Sequence, residues 1–293
     1  MTETTTEPMS RTLEVPSAVL TYDVRRNDQS TDPVLFMIAS PMGAAGFGTL
    51  ATHFTDRTVV TYDPRGSERS TRTDGTTQNT IEEHANDLHR LIAASDAGPV
   101  DLFASSGGAV NALALVAEHP EQVRTLVAHE PPLVSLLPDR EQALAATRDM
   151  YETYQRSGLG PGMAKFIALT SHKGEIPADW LERPAPDPAA FGLPTEDDGS
   201  RDDPLLGQAA GSTPGYEPDF DALRAASTRI VMAAGSESAG ELANRGAFAV
   251  AERLGTAPVV FPSHHGGFLG GEYGWAGEPD AFAAKLREVL AES

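Results

Sequence analysis

The amino-acid sequence predicts an α/β protein whose central sheet is mostly parallel and flanked by helices. Short apolar runs alternate along the chain with segments of helical spacing, an alternation typical of parallel strands joined by crossover helices. Some of these runs are apolar throughout, as expected for strands buried on both faces. The length of 293 residues suits one large α/β domain or a domain with an insertion.

The predicted strands follow in order along the chain. TLEVP and VLTYDVRR are expected to form an opening pair. The run Pro33–Ser40 (PVLFMIAS) has the continuous apolar pattern of a strand buried on both faces. The later strands are expected at 57–63 (RTVVTYD), 99–105 (PVDLFAS), 123–130 (VRTLVAHE), 228–235 (TRIVMAAG) and 257–263 (APVVFPS).

Helical periodicity fills the gaps between these runs. Ser238 is followed three residues later by Glu241, so we expect a capping box at the start of one helix. The helices are expected at Ile81–Ala94, Gly108–Glu118, Glu241–Leu254 and Asp280–Ala291.

The alternation of strands and helices breaks between residues 133 and 224. Helical stretches at Asp139–Ser157 and Pro161–Ser171 are followed by a segment, 183–216, that is rich in Pro, Gly and Asp. Such a composition predicts a long surface excursion. We therefore expect a core formed by residues 1–132 and 225–293, with an inserted cap at 133–224.

Charge and composition exclude several classes of function. The formal net charge is −20, and the chain has only three lysines, so nucleic acid and anionic membranes are not expected partners. Without cysteine, disulfides, thiolate metal sites and a cysteine nucleophile are excluded. The N-terminus has no secretory signal pattern and no apolar run is long enough for a membrane span, so we expect a cytoplasmic protein. A homodimer stays open.

The stretch DLFASSGGAVNALALVAEHP (101–120) runs a strand through small residues directly into a helix. A nucleophile at such a sharp turn needs small neighbours two positions before and after it. Ala104 and Gly108 meet this requirement around Ser106, which would also lie at a helix N-terminus that favours a developing anion. The alternative is a small-residue helix cap without chemistry.

Three segments together resemble the α/β-hydrolase superfamily: FASSGGAVNALALVAEHPEQVRTLVAHEPP, VVTYDPRGSERS and FPSHHGGFL. The resemblance extends from about Leu13 to Leu290, with 133–224 in the place of the family's cap. It implies the α/β-hydrolase fold and chemistry that needs no cofactor and no metal. The family's DxRGxGxS turn is matched by Asp63, Arg65, Gly66 and Ser70, with Glu68 replacing the second Gly, and implies a scaffold role.

A serine hydroxyl needs a general base, and the resemblance implies that this base is His265, immediately before GGF. His264 is expected to be an exposed loop residue. Three further interpretations concern the other histidines: His129 packs within its strand, His172 lies in the insertion, and the rest lie at the surface on predicted helices or their ends. The last group is His53, His84, His89 and His119.

Two glutamates compete to be the acid that orients the base. Glu237 follows the strand after which most of the superfamily has its acid, but the usual spacing from Gly235 falls on Ser238. Glu130 ends the strand RTLVAHE, before Pro131 and Pro132, where some members, including certain lactone-cleaving hydrolases, have theirs. We favour Glu130 and keep Glu237 as the alternative.

The oxyanion hole needs two N–H donors. Gly107, directly after the serine, is one candidate. The second should come from the loop ASPMGAAGF, where Pro41 has no N–H. Met42 is therefore the expected donor, with Gly43 as the fallback.

These residues predict a serine hydrolase that cleaves a small apolar carboxylic ester, lactone or thioester through an acyl-enzyme. The apolar side chains expected to line its pocket, or only to pack the cap onto the body, are Met150, Tyr151, Tyr154, Met163 and Phe166. Two alternatives remain: a non-hydrolytic enzyme of the same fold, such as a lyase or cyclase, and a ligand-binding protein without turnover.

Overall fold

The structure, a computed structural model, describes residues 7–209, 213 and 215–292. In this part of the chain nine strands form one sheet in the order β1-β2-β4-β3-β6-β7-β8-β9, with β5 paired to β2. The strands are β1 (Met9–Val15), β2 (Ala18–Arg25), β3 (Leu35–Ser40), β4 (Val59–Tyr62), β5 (Thr71–Arg72), β6 (Val100–Ser106), β7 (Val123–His129), β8 (Arg229–Gly235) and β9 (Val259–Phe261).

The predicted mostly parallel sheet is confirmed. In the run β4-β3-β6-β7-β8-β9 all neighbouring strands are parallel. By contrast, β1 and β2 form an antiparallel hairpin, and β2 is antiparallel to β4. The two-residue strand β5 was not expected, because its short pairing with β2 gives no alternation for a sequence pattern to reveal.

The helices lie where periodicity predicts them, and two short ones, α1 and α6, are added. Both are too short to produce a periodic pattern. The α-helices are α1 (Gly48–Thr52), α2 (Ile81–Ala94), α3 (Gly107–Glu118), α4 (Arg140–Ser157), α5 (Leu159–Thr170), α6 (Phe220–Ala225), α7 (Leu242–Leu254) and α8 (Pro279–Ala291).

Helices cover both faces of the sheet, and side chains of one strand alternate between two apolar cores. Leu102 and Ala104 of β6 belong to the core beneath α2, α3 and α7, whereas Phe103 belongs to the core beneath α1 and α8. This explains why β6 reads as a continuous apolar run, since both of its faces are buried. The resulting scaffold holds the ends of the parallel strands rigidly.

The chain between β7 and β8 contains α4, α5 and several shorter turns. Met150 and Tyr154 of α4 are buried in a small apolar cluster with Leu206, and Met163 and Phe166 of α5 pack against it. The described part of 183–216 has only short turns, including Pro188–Phe191 and Pro204–Ala209. Its low content of regular structure agrees with its Pro- and Gly-rich composition.

Two local predictions about the helices are wrong. His84 is buried, because it lies on the same face of α2 as Ile81, Ala85 and Leu88, which pack into the core. The capping box expected at Ser238 does not form, since the Ser238 hydroxyl bonds to Glu130 instead. A capping box does begin α2, where Thr80 and Glu83 bond reciprocally.

Among the described residues, no helix combines the length and the apolar character needed to cross a membrane.

Candidate active site

The carboxyl ends of the parallel strands bring the predicted site residues to one edge of the sheet. Ser106 is the last residue of β6 and pairs in register with Ser40, the last residue of β3. Ser105 pairs with His129, the last residue of β7, so that Ser106 and Glu130 leave neighbouring strands at the same level. This edge is where ligands bind in open α/β sheets.

Ser106 has an unusual backbone conformation, with φ 56° and ψ −130°. A residue with a side chain is rarely found there, and holding it costs about 1–3 kcal/mol, which is typical of functional sites. The glycines that follow allow α3 to lie close to β3. A Cβ at Gly107 would lie 2.7 Å from Ser40 O, and a Cβ at Gly108 would lie 2.6 Å from Ala39 Cα.

His265 and Glu130 form a hydrogen-bonded pair, with Nδ1 and Oε2 separated by 2.6 Å. Since an ionised carboxylate only accepts hydrogen bonds, Nδ1 must carry the proton. In the neutral ring Nε2 is therefore unprotonated and can accept one. The His265 side chain is 34% exposed and Glu130 is fully buried, so the ring has one protected and one accessible end.

Glu130 is buried and nevertheless remains ionised. Burial by itself raises the pKa of this carboxyl, but the hydrogen bonds from His265 and from the Ser238 hydroxyl lower it by more. The net result is a Glu130 pKa well below its ordinary value. Oε1 accepts from Gly235 N at 2.8 Å, Ser238 Oγ at 2.5 Å and Asn244 Nδ2 at 3.0 Å.

Glu237, the alternative acid, lies elsewhere. Its side chain is exposed, and its carboxylate accepts a 3.4 Å hydrogen bond from the Ser263 hydroxyl. The Glu237 backbone N–H donates to Ser263 O at 3.0 Å, which ties this loop to the segment before the histidine pair. Of the two candidate acids, the structure brings only Glu130 to His265.

His129 lies behind the site and is fully buried, as expected for a packed strand residue. Burial lowers the pKa of His129 to about 4, so its ring is neutral at pH 7. Nδ1 lies 3.1 Å from Ser105 Oγ, and the ring stacks at 5.9 Å on that of His265. His129 therefore adds a neutral aromatic surface behind the base.

Among the described residues, one group of three side chains has the composition of a metal site: His129, Glu130 and His265. One potential ligand atom from each lies within 4.8 Å of the others. The carboxylate and the two Nδ1 atoms are already engaged in hydrogen bonds with His265, Ser105 and the donors around Oε1. Because the Glu130 carboxylate, the one anionic donor of the three, is already held by four hydrogen bonds, the group fits a hydrogen-bonded His265–Glu130 pair better than a metal centre.

Met42 and Gly107, the two candidate oxyanion donors, belong to different elements. Gly107 is the first residue of α3, and a first-turn N–H has no partner inside its own helix. The Met42 loop is held by Asp63, whose Oδ1 accepts from Ala44 N at 2.8 Å and whose Oδ2 accepts from Arg69 Nε at 2.6 Å. The Asp63 turn thus supports the loop that precedes α1.

Within the described part of the chain, no hydrogen bond joins Ser106 to His265. The only side-chain hydrogen bond of the His265 ring there is the one from Nδ1 to Glu130. Catalytic hydrogen bonds are often long in unliganded enzymes and tighten only with substrate. The arrangement leaves an unprotonated nitrogen free at the sheet edge where Ser106 lies.

His264 is half-buried rather than exposed, and both of its ring nitrogens have backbone partners. Nδ1 accepts from Gly266 N at 3.0 Å, so the proton is on Nε2, which donates to Ala276 O at 3.2 Å. The exposed-loop prediction is wrong because the chain folds back over this ring. His264 thereby fixes the loop that carries His265.

The predicted lining residues lie on α4 and α5, between β7 and β8, and pack mainly on each other. Met150 and Tyr154 are buried, while Met163 and Phe166 are half-buried beside them. Tyr154 also accepts a hydrogen bond from Asp203 N at 3.0 Å. Tyr151 lies near the surface, where its hydroxyl accepts from Gln78 Nε2 at 3.3 Å.

Ser238 and Asn244 are the polar site residues that sequence reasoning missed. Ser238 carried a signal, since it occupies the spacing after Gly235 at which an acid was expected. Asn244 carried none, because a lone Asn in the first turn of a helix is ordinary. Only the fold brings both to the Glu130 carboxylate.

Comparison with known proteins identifies the family of this chain. A family model described as the alpha/beta hydrolase fold matches residues 40–185. A Bacillus subtilis (strain 168) protein named uncharacterized hydrolase YraK is 32% identical over 270 residues, which are 88% of this chain and 89% of that protein.

Solved structures with low sequence identity share the architecture. The enol-lactonase from Burkholderia xenovorans LB400 has a TM-score of 0.65 and 15% identity, covering 96% of this chain and 100% of its own. A thermophilic esterase from Thermogutta terrifontis has a TM-score of 0.64 and 20% identity, covering 98% of each chain. At this identity the likeness concerns the fold.

A parallel sheet that ends in a strained serine turn, beside a paired histidine and glutamate, defines the class of protein. The chain belongs to the α/β-hydrolase superfamily.

Proposed function

We propose that this protein is a serine hydrolase that cleaves a carboxylic ester, lactone or thioester through an acyl-enzyme, with Ser106, His265 and Glu130 as the catalytic triad. One observation carries the proposal: Glu130 Oε2 holds the proton of His265 on Nδ1, which leaves Nε2 as a base at the edge where the strained Ser106 turn lies.

In the proposed reaction Ser106 Oγ attacks the substrate carbonyl while its proton passes to His265 Nε2. The tetrahedral intermediate collapses, and His265 returns that proton to the departing alcohol or thiol. Water then gives a proton to His265 Nε2 and attacks the acyl carbonyl. The second tetrahedral intermediate collapses to the carboxylic acid, and His265 returns the proton to Ser106 Oγ. Glu130 stabilises the imidazolium formed in each half of the cycle.

The proposed oxyanion hole consists of the N–H groups of Gly107 and Met42. Gly107 begins α3, whose N-terminal dipole adds to the stabilisation of a negative oxygen. The Met42 loop is preorganised by Asp63 through Ala44 N. Donors that are fixed before the reaction do not need to reorganise during it.

The proposed substrate is a small apolar ester or lactone. The esterase and the enol-lactonase that share the fold are named for hydrolysis of such bonds, and they support this reaction class without fixing the substrate. The half-buried Met163 and Phe166 in the insertion offer apolar surface near the cluster around Leu206. The acidic surface of the protein disfavours anionic substrates.

The test is the intact mass of the protein after reaction with a fluorophosphonate, combined with hydrolysis of p-nitrophenyl acetate. We expect one adduct in the wild type and in Ser105→Ala, the nearest serine control, and none in Ser106→Ala or His265→Ala. Absence of both the adduct and ester hydrolysis in folded wild-type protein would overturn the proposal. It would favour a non-hydrolytic reaction or ligand binding on this fold.

A further inference from the structure

The two oxygens of the Glu130 carboxylate have different surroundings. Oε1 lies among three donors: the backbone N–H of Gly235, the hydroxyl of Ser238 and the side-chain amide of Asn244. We call these three groups the carboxylate socket. Oε2 accepts from His265 Nδ1. Oε1 therefore accepts three hydrogen bonds and Oε2 accepts one, so that only Oε2 is directed at the histidine.

The socket is built from two elements that the sheet brings beside β7. Gly235 ends β8, Ser238 lies in the loop that follows, and Asn244 is in the first turn of α7. The Ser238 and Asn244 side chains are buried, and Asn244 Nδ2 also donates to Gly235 O at 3.1 Å. Buried polar groups are costly unless they are hydrogen-bonded, so this cross-linked set has one favoured arrangement.

Close packing leaves the socket little room to rearrange. A Cβ at Gly235 would lie 2.7 Å from Ser238 Oγ and 2.8 Å from Ser263 O. The Glu130 backbone N–H donates to Ala233 O at 3.0 Å, which fixes the start of the side chain as well as its end. The terminal torsion of a glutamate is otherwise broad and twofold. The socket removes this freedom.

We propose that Ser238 and Asn244 are positioning residues: by holding Oε1 they fix the rotation of the Glu130 carboxylate, and thereby keep the proton of His265 on Nδ1. The catalytic consequence of this inference rests on the proposed function, whereas its consequence for the histidine tautomer does not. Three other titratable groups lie around the pair: His129 from β7 and Glu241 before α7 interact electrostatically with both of its members, and His264 precedes the base in the sequence. The variants below leave all three in place.

The direct test is the pair of ring ¹⁵N chemical shifts of His265 in the full-length protein at alkaline pH, which distinguish the two neutral tautomers. We expect the Nδ1–H tautomer in the wild type and in Ser236→Ala, an exposed serine of the same loop. In Ser238→Ala/Asn244→Leu we expect a mixture with a substantial Nε2–H population. Wild-type shifts in the folded double variant would overturn the proposal.

Should the double variant fail to fold, Ser238→Ala alone serves the same purpose. It retains two of the three donors, so we expect a smaller shift of the ¹⁵N resonances in the same direction. Unchanged resonances in this variant would equally overturn the inference. Far-ultraviolet circular dichroism and the unfolding midpoint show whether each variant is folded.

Kinetics separate this inference from the proposed function. With a substrate ester, the double variant should lose about ten- to a hundredfold in kcat with KM unchanged, by analogy with the outer hydrogen-bond partners that orient metal-bound histidines. If the wild type lacks hydrolysis but the tautomer shifts as expected, the proposed function fails and the positioning role stands. If hydrolysis is present and neither tautomer nor kcat changes, the positioning role fails alone.

Discussion

At the scale of single residues, the site depends on a carboxylate that is buried and still charged. Removing an ionised carboxyl from water is costly unless hydrogen bonds replace its hydration. Glu130 has four such partners, three on Oε1 and one on Oε2. The same arrangement determines which nitrogen of His265 carries the proton, so charge burial and proton placement have one structural cause.

We expect Glu130→Gln to lower kcat by about 10³- to 10⁴-fold with little change in KM. The three socket donors will hold the amide oxygen, which directs the amide NH₂ toward His265 Nδ1 and forces the opposite tautomer. Steady-state kinetics with a p-nitrophenyl ester measures this loss. Glu237→Gln is the matched control, because that carboxylate is exposed; a larger loss in the control would assign the acid to Glu237.

At the scale of elements, the close approach of α3 to β3 places the serine turn. A glycine inside a helix normally destabilises it by about 1 kcal/mol relative to alanine, so helix propensity does not explain why residue 108 is a glycine. A Cβ there would meet the Ala39 backbone at 2.6 Å. Backbone atoms cannot move aside as a flexible side chain can, so the steric term outweighs the helix propensity.

Gly108→Ala should therefore lower the free energy of unfolding by about 1–3 kcal/mol, in spite of the better helix former. Urea denaturation measures this change. Gly215→Ala is the control, because a Cβ at Gly215 meets nothing within 4 Å. An increase in stability for Gly108→Ala would show that α3 can move away from β3 without loss.

A second contact between elements joins the segment between β7 and β8 to the loop that precedes α2. Gln208 is buried, donating from Nε2 to Gly66 O at 3.0 Å and accepting at Oε1 from Asn79 Nδ2 at 2.9 Å. Both partners lie between β4 and α2. The side chain thus joins the turn Pro204–Ala209 to the loop beside the candidate site.

We expect Gln208→Ala to increase the rate of limited proteolysis within 183–209, because the turn loses both hydrogen bonds to the core. Mass spectrometry of the fragments locates the cleavage. Gln155→Ala, an exposed position on α4, should leave the rate unchanged. Equal rates for wild type and Gln208→Ala would mean that apolar packing around Leu206 alone holds the segment.

At the scale of the whole molecule, two buried histidines link stability to pH. Burial lowers the pKa of both His84 and His129 to about 4, whereas the unfolded chain titrates near 6.5. Between these values the unfolded state binds more protons, so stability falls as the pH is lowered. Each histidine can lower the free energy of unfolding by roughly 3 kcal/mol once the pH falls below 4.

The free energy of unfolding should therefore decrease from about pH 6.5 to pH 4, before the loss from Glu130, whose lowered pKa places its contribution at lower pH. His84→Met should reduce the slope of the unfolding free energy against pH by the equivalent of about one proton, since it removes one of the two buried histidines and the His84 Nδ1 has no described hydrogen-bond partner to lose. Urea unfolding at several pH values measures the slope. An unchanged slope would place the proton uptake elsewhere.

Local sequence patterns alone determined most of the strands and helices and the serine turn of this protein. Apolar runs and helical spacing predicted the parallel sheet and the ends of α2, because periodicity is a property of neighbouring residues. The small residues around Ser106 indicated its turn, and the resemblance of the late motif identified His265 as the base to test. These features depend on residues close in sequence.

The tertiary structure decided what depends on contacts between distant segments. It brought Glu130 rather than Glu237 to His265, directed Ser238 to a carboxylate instead of a helix cap, and buried His84. His84 is buried because α2 packs on α3, and both Glu130 contacts follow from the order of strands in the sheet, which sets β8 and its neighbour α7 beside β7. A spacing along the chain cannot specify such contacts, because they are distances between side chains more than a hundred residues apart.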